Sequence, residues 1–319
     1  MAIKIIKKGI ADSLQDQGRY GYQHQGIQPN GCMDYLSAWL GNAIVQNDLH
    51  HPIIELHFPA AQIQFTTNHT ICITGANFVP VLNEKSIPMN TPIQVNAMDR
   101  LTMLQPLEGK TCYVAIKGDF EKPQWLHSQS FNGKRFEKED QILILDQSDQ
   151  IKPNFKFNPL VIEKVHHFLF DNHDPIRIIP GPAWQDLTED SIHHLLNAPY
   201  YITPQANRMG FHLAGPALSL TSPNNYLSSA VTRGTIQLLP NGELIVLMAD
   251  HQTTGGYPRV GTVISADIAS LAQMPIGSSF RITWVSMLEA EALLLAQESN
   301  LQQLENACKF RLQEYFSEK

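Results

Sequence analysis

The sequence predicts a mainly β protein with a few short helices and one long helix at its C-terminal end. Three observations carry that expectation. Most segments are short apolar or alternating runs broken by Gly, Pro, Asn and Asp, as in IQFTTNHTICITGANFVPVLNEKSIPM and RLTMLQPLEGKTCYVAIKGDF, the punctuation of sheet built from hairpins. In IQLLPNGELIVLMA, Asn241-Gly242 joins two apolar runs, and Asn-Gly suits the positive φ angles of a tight turn. Helical periodicity is confined to a few places,.

Taken in order, Asp34 is placed to cap YLSAWLGNAIV, where Leu36, Leu40 and Ile44 share one face,. The stretch Asp146–Asp174, with Pro153 and DNHDP, lacks periodicity and is the expected junction between two halves,. Thr188 is placed to cap EDSIHHLLN, whose Glu189 and Asp190 suit the positive end of the helix dipole,. From Ser286 onward there is no Gly or Pro, and Leu301, Leu304, Cys308, Leu312 and Tyr315 form one stripe, which predicts a long helix,. The expected division is an N-terminal β-rich domain over 1–170, a second β domain over 171–285 and a helix over 286–319.

A chain of 319 residues, 43% hydrophobic and 17% charged, can bury the cores of two domains,. Its net charge of -7 with scattered basic residues removes the electrostatic basis for binding nucleic acid or an anionic membrane,. Cys32, Cys72, Cys112 and Cys308 stand apart without a CxxC pair, which fits reduced thiols,. The N-terminal apolar run is short for a signal peptide and no apolar run is long enough to span a bilayer, so a cytoplasmic location is expected,. There is no GxxxxGK[ST], GxGxxG, GxSxG or HExxH,. Histidines occur as His50-His51, His166-His167 and His193-His194, neighbours that point apart on a regular element, and no metal is expected,.

Three polar clusters interrupt the β pattern. In SLQDQGRYGYQHQGIQPNGCMD, Gln15, Asp16, Arg19 and Asp34 lie among Gly18, Gly21, Gly26 and Gly31. That density of glycine permits close approach to a ligand, but composition favours a set of turns closed by a buried Asp16–Arg19 ion pair. In TPQANRMGF, Gln205, Asn207 and Arg208 precede Gly210. The Arg fork can bind a carboxylate, or satisfy loop carbonyls. In LMADHQTTGGYP an apolar strand ends at Asp250 and His251, candidates for an acid and a base,. Gln252, Thr253, Thr254, Gly255 and Gly256 follow, offering hydroxyls and backbone N–H groups for an oxyanion nest,. A plain Gly-Gly-Tyr-Pro turn is the alternative.

QDQGRYGY with GCMD, then RIIPGPAWQDLT, PQANRMGF, GTIQLLPNGELIVLMADHQTTGGYP and VISADIASLAQM, in this order, resemble the biotin-dependent carboxyltransferase-like family. Its members include the C component of the ATP-dependent 5-oxoprolinase and the second carboxyltransferase segment of urea carboxylase, also known as allophanate hydrolase subunit 2. The resemblance implies two cyclophilin-like β-barrel halves. It implies action with a KipI-like B component and a LamB/YcsF-like A component of 5-oxoprolinase to open 5-oxo-L-proline to L-glutamate. ATP would be used by the complex, since this chain carries no recognisable nucleotide motif. Biotin enters only under the alternative of carboxyl transfer to urea or another amide, and this chain has no AMKM-type attachment site. A further alternative is a KipA-like regulator that binds a KipI-like kinase inhibitor.

Position by position, the resemblance implies catalytic roles for Asp16, Arg208, Asp250 and Thr254. Substrate binding falls to Gln15, Arg19, Asn207, Gln252, Thr253, Gly255 and Gly256. The chain also departs from the pattern. Asn207 stands where family members have Asp, His251 where Arg is common, and Leu126-His127-Ser128-Gln129-Ser130 where a Gly-Ser-Arg-Ser-Thr segment is usual. These departures imply a divergent substrate.

Overall fold

The computed structural model describes residues 2–121, 124–130, 135–145, 175–222 and 226–312. The chain forms two compact units: Met1–Arg19, Asp34–Leu169 and Asn300–Lys319 make the first, Tyr20–Met33 and Phe170–Ser299 the second. The expected junction over 146–174, with its boundary at 170/171 and the His166-His167 pair, lies outside the described residues.

In the first unit a seven-stranded sheet runs in the order Asp119–Glu121 (β11), Gln141–Leu145 (β12), Ala2–Lys7 (β1), Gln62–Phe65 (β4), Arg100–Met103 (β9), Pro80–Leu82 (β6), Lys85–Ser86 (β7). A five-stranded sheet runs Ser13–Gln15 (β2), Ile53–His57 (β3), Glu108–Ile116 (β10), His69–Asn77 (β5), Ile93–Val95 (β8). Strand alternation sends Ile3, Ile5, Ile63 and Phe65 from one sheet, and Ile54, Leu56, Ile71, Ile73 and Val114 from the other, into one core,. The opposite face of the five-stranded sheet is covered by helix α1, Tyr35–Ile44. Asp34 caps it as expected, accepting from Leu36 N and Ser37 N at 3.0 Å each,.

In the second unit an eight-stranded sheet runs Ser279–Phe280 (β21), Tyr200–Ile202 (β14), Gly210–Ala214 (β15), Leu244–Leu247 (β18), Thr235–Leu238 (β17), Arg259–Val263 (β20), Ile176–Pro180 (β13), Ile282–Trp284 (β22). Its end strands β21 and β22 are separated by Arg281 alone, whose carbonyl accepts from Ile176 N at 2.8 Å. The sheet therefore curls into a nearly closed barrel filled by Ile178, Phe211, Ile236, Val246 and Phe280,. The mainly β expectation holds. The Asn241-Gly242 hairpin forms with a longer loop than the dipeptide suggests. Gly242 is left-handed (φ 85°), Asn241 is not, and Leu239 accepts from Gly242 N at 2.9 Å. Pro240 supplies the preceding φ,.

Thr188 caps α2, Glu189–Asn197, as expected. Helix α3, Ser265–Gln273, is not signalled by a polar cap: its N-cap is Ile264, without a side-chain bond. It is pinned instead by Asp267, which accepts from Arg177 N at 2.8 Å and from Nε and Nη2 of the Arg177 guanidinium. Helix α4 spans Met287–Leu312, opened by a reciprocal cap in which Glu289 N donates to Ser286 Oγ and Ser286 N to Glu289 Oε2,. Leu304 and Cys308 of the expected stripe are buried, while the Leu312 side chain and Tyr315 lie outside the described residues. Among the described residues no helix is long and apolar enough to cross a membrane, and no group of three His, Cys, Asp or Glu is placed to hold a metal.

Segment 20–33 belongs to the second unit by contact, although it lies within the expected first domain. Its carbonyls explain this: Gly31 O accepts from Arg208 at 2.7 Å, Cys32 O from Arg233 at 3.0 Å, and Met33 enters the barrel core.

Candidate functional site

The expected site residues fall into two clusters, one in each unit. In the first, β2 ends at Gln15 and delivers Asp16 into a ring of donors. One Asp16 oxygen accepts from Gly18 N (2.7 Å), Ser128 Oγ (2.8 Å) and Ser130 Oγ (2.7 Å), the other from Gln129 N (2.5 Å). Its own N–H donates to Ser130 Oγ at 2.9 Å. A two-residue hairpin presents these groups: Trp125 and Ser128 exchange backbone hydrogen bonds around Leu126 (φ 52°) and His127 (φ 63°). Non-glycine residues in the left-handed region are strained, a feature concentrated where geometry serves function.

The expected Asp16–Arg19 ion pair does not form, because the donors on Gly18 and 128–130 take up the carboxylate. Arg19, 1% exposed, instead stacks its guanidinium 4.8 Å from the centre of the Trp125 ring,. The roles of Ser128, Gln129, Ser130 and Trp125 have no signal in the sequence beyond the departure of 126–130 from the family pattern.

In the second unit, the loop after β14 carries Arg208 and the loop after β18 carries Asp250. Arg208 grips Asp250 through Nε and Nη2 at 2.8 Å each, with side chains 14% and 20% exposed. Asn30 Nδ2 adds 2.6 Å to the same carboxylate, and Gln28 Nε2 donates to Asp250 O at 3.0 Å. The Arg208 fork is thus engaged by Asp250 and by Gly31 O, the second contact matching the reading in which it satisfies loop carbonyls. Gln28 and Asn30 carry no signal in the sequence because their partners lie over 200 residues away.

Asn207 is exposed and shapes its own turn, accepting from Met209 N at 2.8 Å and donating to Gln205 O at 3.0 Å. His251 is 2% exposed, and its Nδ1 lies 2.5 Å from Gln252 O. Burial pushes its pKa below 6.5, with the Arg233 charge adding to the effect, so the ring is neutral at pH 7,. Because folding lowers this pKa, the unfolded chain holds more protons just below pH 6.5,. The contribution is complete above that pH and lost as pH falls beneath it. The melting temperature of the wild type should therefore fall, relative to His251→Gln, on going from about pH 7 to pH 5.

The backbone at the expected oxyanion nest is extended rather than a left-handed turn. Thr254–Gly255 (β19) pairs with Ser229–Ala230 (β16), Ala230 opposite Thr254 and Ser229 opposite Gly255, and neither Gly255 nor Gly256 has positive φ. A Cβ at 255 would lie 2.3 Å from Gln237 Nε2, so the buried Gln237 amide would have to move. Gln237 is 1% exposed and accepts from Gln252 Nε2 at 3.3 Å. Gly255→Ala should thus destabilise the barrel by about 1–3 kcal/mol in denaturant titration. Thr253 is buried and Thr254 exposed.

Sequence and structure comparisons agree with this architecture. The carboxyltransferase domain, subdomain A and B, matches residues 25–284. The C component of 5-oxoprolinase from Escherichia coli (strain K12) is 31% identical over 303 residues, 95% of this chain and 97% of that protein. Its namesake in Haemophilus influenzae is 31% identical over 95% of this chain and 97% of its own length. Urea amidolyase of Lachancea kluyveri is 27% identical, matching 96% of this chain and 18% of that protein. The crystal structure of the K. lactis urea amidolyase superposes with a TM-score of 0.84 at 25% identity, over 95% of this chain and 20% of that one. The family match over residues 25–284 and the β-rich fold define a protein of the carboxyltransferase-domain class. The chain belongs to the carboxyltransferase domain family, subdomains A and B.

Proposed function

We propose that the chain is the C component of a 5-oxoprolinase, acting with other components to open 5-oxo-L-proline to L-glutamate. One observation carries this reading: the match to proteins named as that component runs through 95% of this chain and 97% of theirs. That name makes the relatives parts of a multi-component protein, and we assign partnership with the A and B components to this chain as well. ATP, in this proposal, is bound by a partner, consistent with the missing phosphate-loop motif,.

Ring opening requires attack on a lactam carbonyl and stabilisation of the oxyanion that results, best supplied by donors already in place. We assign this chemistry to the two clusters. Asp16 and the Arg208–Asp250 pair hold the geometry, and the exposed Thr254 hydroxyl is the donor candidate. The proposed binding residues are Gln15 and Arg19 in the first unit and Asn207, Gln252, Thr253, Gly255 and Gly256 in the second.

The fold match to urea amidolyase favours one second reading, carboxyl transfer from carboxybiotin to an amide nitrogen. A paired assay separates the two. The chain combined with the A and B components is given 5-oxo-L-proline and ATP, and in parallel urea with a carboxylated biotin carrier. The proposal expects glutamate in the first and no carboxylated urea in the second. A regulator would assemble with the B component and yield neither product.

A further inference from the structure

Two buried amide oxygens, on residues that adjoin Asp16, have no partner among the described residues. Gln129, 7% exposed, donates from Nε2 to Phe120 O at 3.2 Å. A carbonyl can only accept, so this contact fixes which end of the amide is nitrogen. Its Oε1 is left buried without a donor. Gln15, 3% exposed, has Nε2 on Ser13 Oγ at 2.8 Å, and its Oε1 is likewise buried and unpartnered. A hydroxyl serves as donor or acceptor, so turning this amide over still leaves one polar atom orphaned.

Each such orphan costs about 1–3 kcal/mol. Both residues adjoin Asp16: Gln15 precedes it in the chain, and Gln129 N bonds its carboxylate at 2.5 Å. Asp16 is itself engaged by four donors, so it positions the 128–130 segment rather than offering a free acceptor. What Gln129 Oε1 lacks, and Gln15 Oε1 in the orientation described, is a donor.

We propose that Gln129, supported by Gln15, is a specificity-determining residue that accepts hydrogen bonds from the N–H side of a small planar amide, lactam or urea. This deepens the proposed function and rests on it for the substrate class. Carbonyl oxygens repel a ligand carboxylate, so the N–H edge of the ligand and not its anionic end lies here. A site built to bond an N–H discriminates against an analogue without one, since the acceptors are then left unpaired.

The test compares 2-pyrrolidone with N-methyl-2-pyrrolidone, and 5-oxo-L-proline with its N-methyl derivative. Binding is measured on the full-length chain alone and assembled with its partners. The wild type should bind each N–H compound roughly tenfold or more tightly than its N-methyl counterpart. In Gln129→Met the preference should shrink to about twofold or less, with an unchanged circular dichroism spectrum. If that variant does not fold, Gln15→Met and the wild-type comparison decide. Equal affinity for the paired compounds, no binding in either setting, or a liganded crystal with only water on both oxygens would overturn the proposal. N–H-selective binding without glutamate formation would keep this site and reject the 5-oxoprolinase reading. Glutamate formation without N–H selectivity would do the reverse.

Discussion

Asp16→Asn should lower ring-opening turnover by at least about a hundredfold and destabilise the first unit by about 2–4 kcal/mol. All four groups facing the Asp16 carboxylate are donors, two of them hydroxyls and two backbone N–H groups. An amide NH2 in place of either oxygen would face donors with a donor. If it replaces the oxygen that accepts from Gln129 N, the 128–130 segment shifts and carries Gln129 with it. If it replaces the other, the turn at Gly18 and both serine hydroxyls must rearrange. Denaturant titration separates folding from function, because turnover normalised to folded protein should still fall. Ser128→Ala and Ser130→Ala each remove one donor, so each should have a smaller effect in the same direction. Turnover and stability both unchanged in Asp16→Asn would remove Asp16 from the account.

The second large effect is expected at Arg208. Arg208→Leu leaves Asp250 half-buried with Asn30 as its remaining side-chain partner and strips Gly31 O of its donor. Breaking one side of such a pair costs about 2–4 kcal/mol, reduced from the fully buried case by the exposure of both groups. Arg208→Lys should recover little, because a single ammonium cannot span both carboxylate oxygens and Gly31 O. Arg208→Leu with Asp250→Leu should be less destabilised than the sum of the single changes, since the stranded charge is gone. Thermal melts of the four proteins give the coupling. Additive losses would show that the pair does not clamp the 203–209 and 248–253 loops.

The two loops illustrate what the sequence discloses and what it hides. Where a feature depends on neighbours in the chain, it is legible: Asp34 and Thr188 cap the helices they precede, and Asn241-Gly242 turns a hairpin, although the strand through Val246 ends at Leu247, three residues before the expected Asp250. Helix α3 is hidden because eight of its nine residues are buried and its anchor is Arg177, far back in the chain. Site residues are legible by type but not by role. Asp16 has Arg19 three residues on as its nearest opposite charge in sequence, whereas its partners Ser128, Gln129 and Ser130 lie more than 110 residues away. Gly255 reads as freedom for a nest, while in the fold it sits in extended backbone against the Gln237 amide. In each case local pattern gives the residue, and pairing across the fold decides what it does.

The central claim is that this chain contributes an indispensable part of lactam hydrolysis. It is tested most directly by omission and add-back: the A and B components with 5-oxo-L-proline and ATP, titrated with this chain while glutamate is followed. Glutamate formation should be absent without the chain, rise until it reaches stoichiometry with its partners, and fail to rise when Asp16→Asn is added instead. Equal glutamate formation with and without the chain would contradict the account.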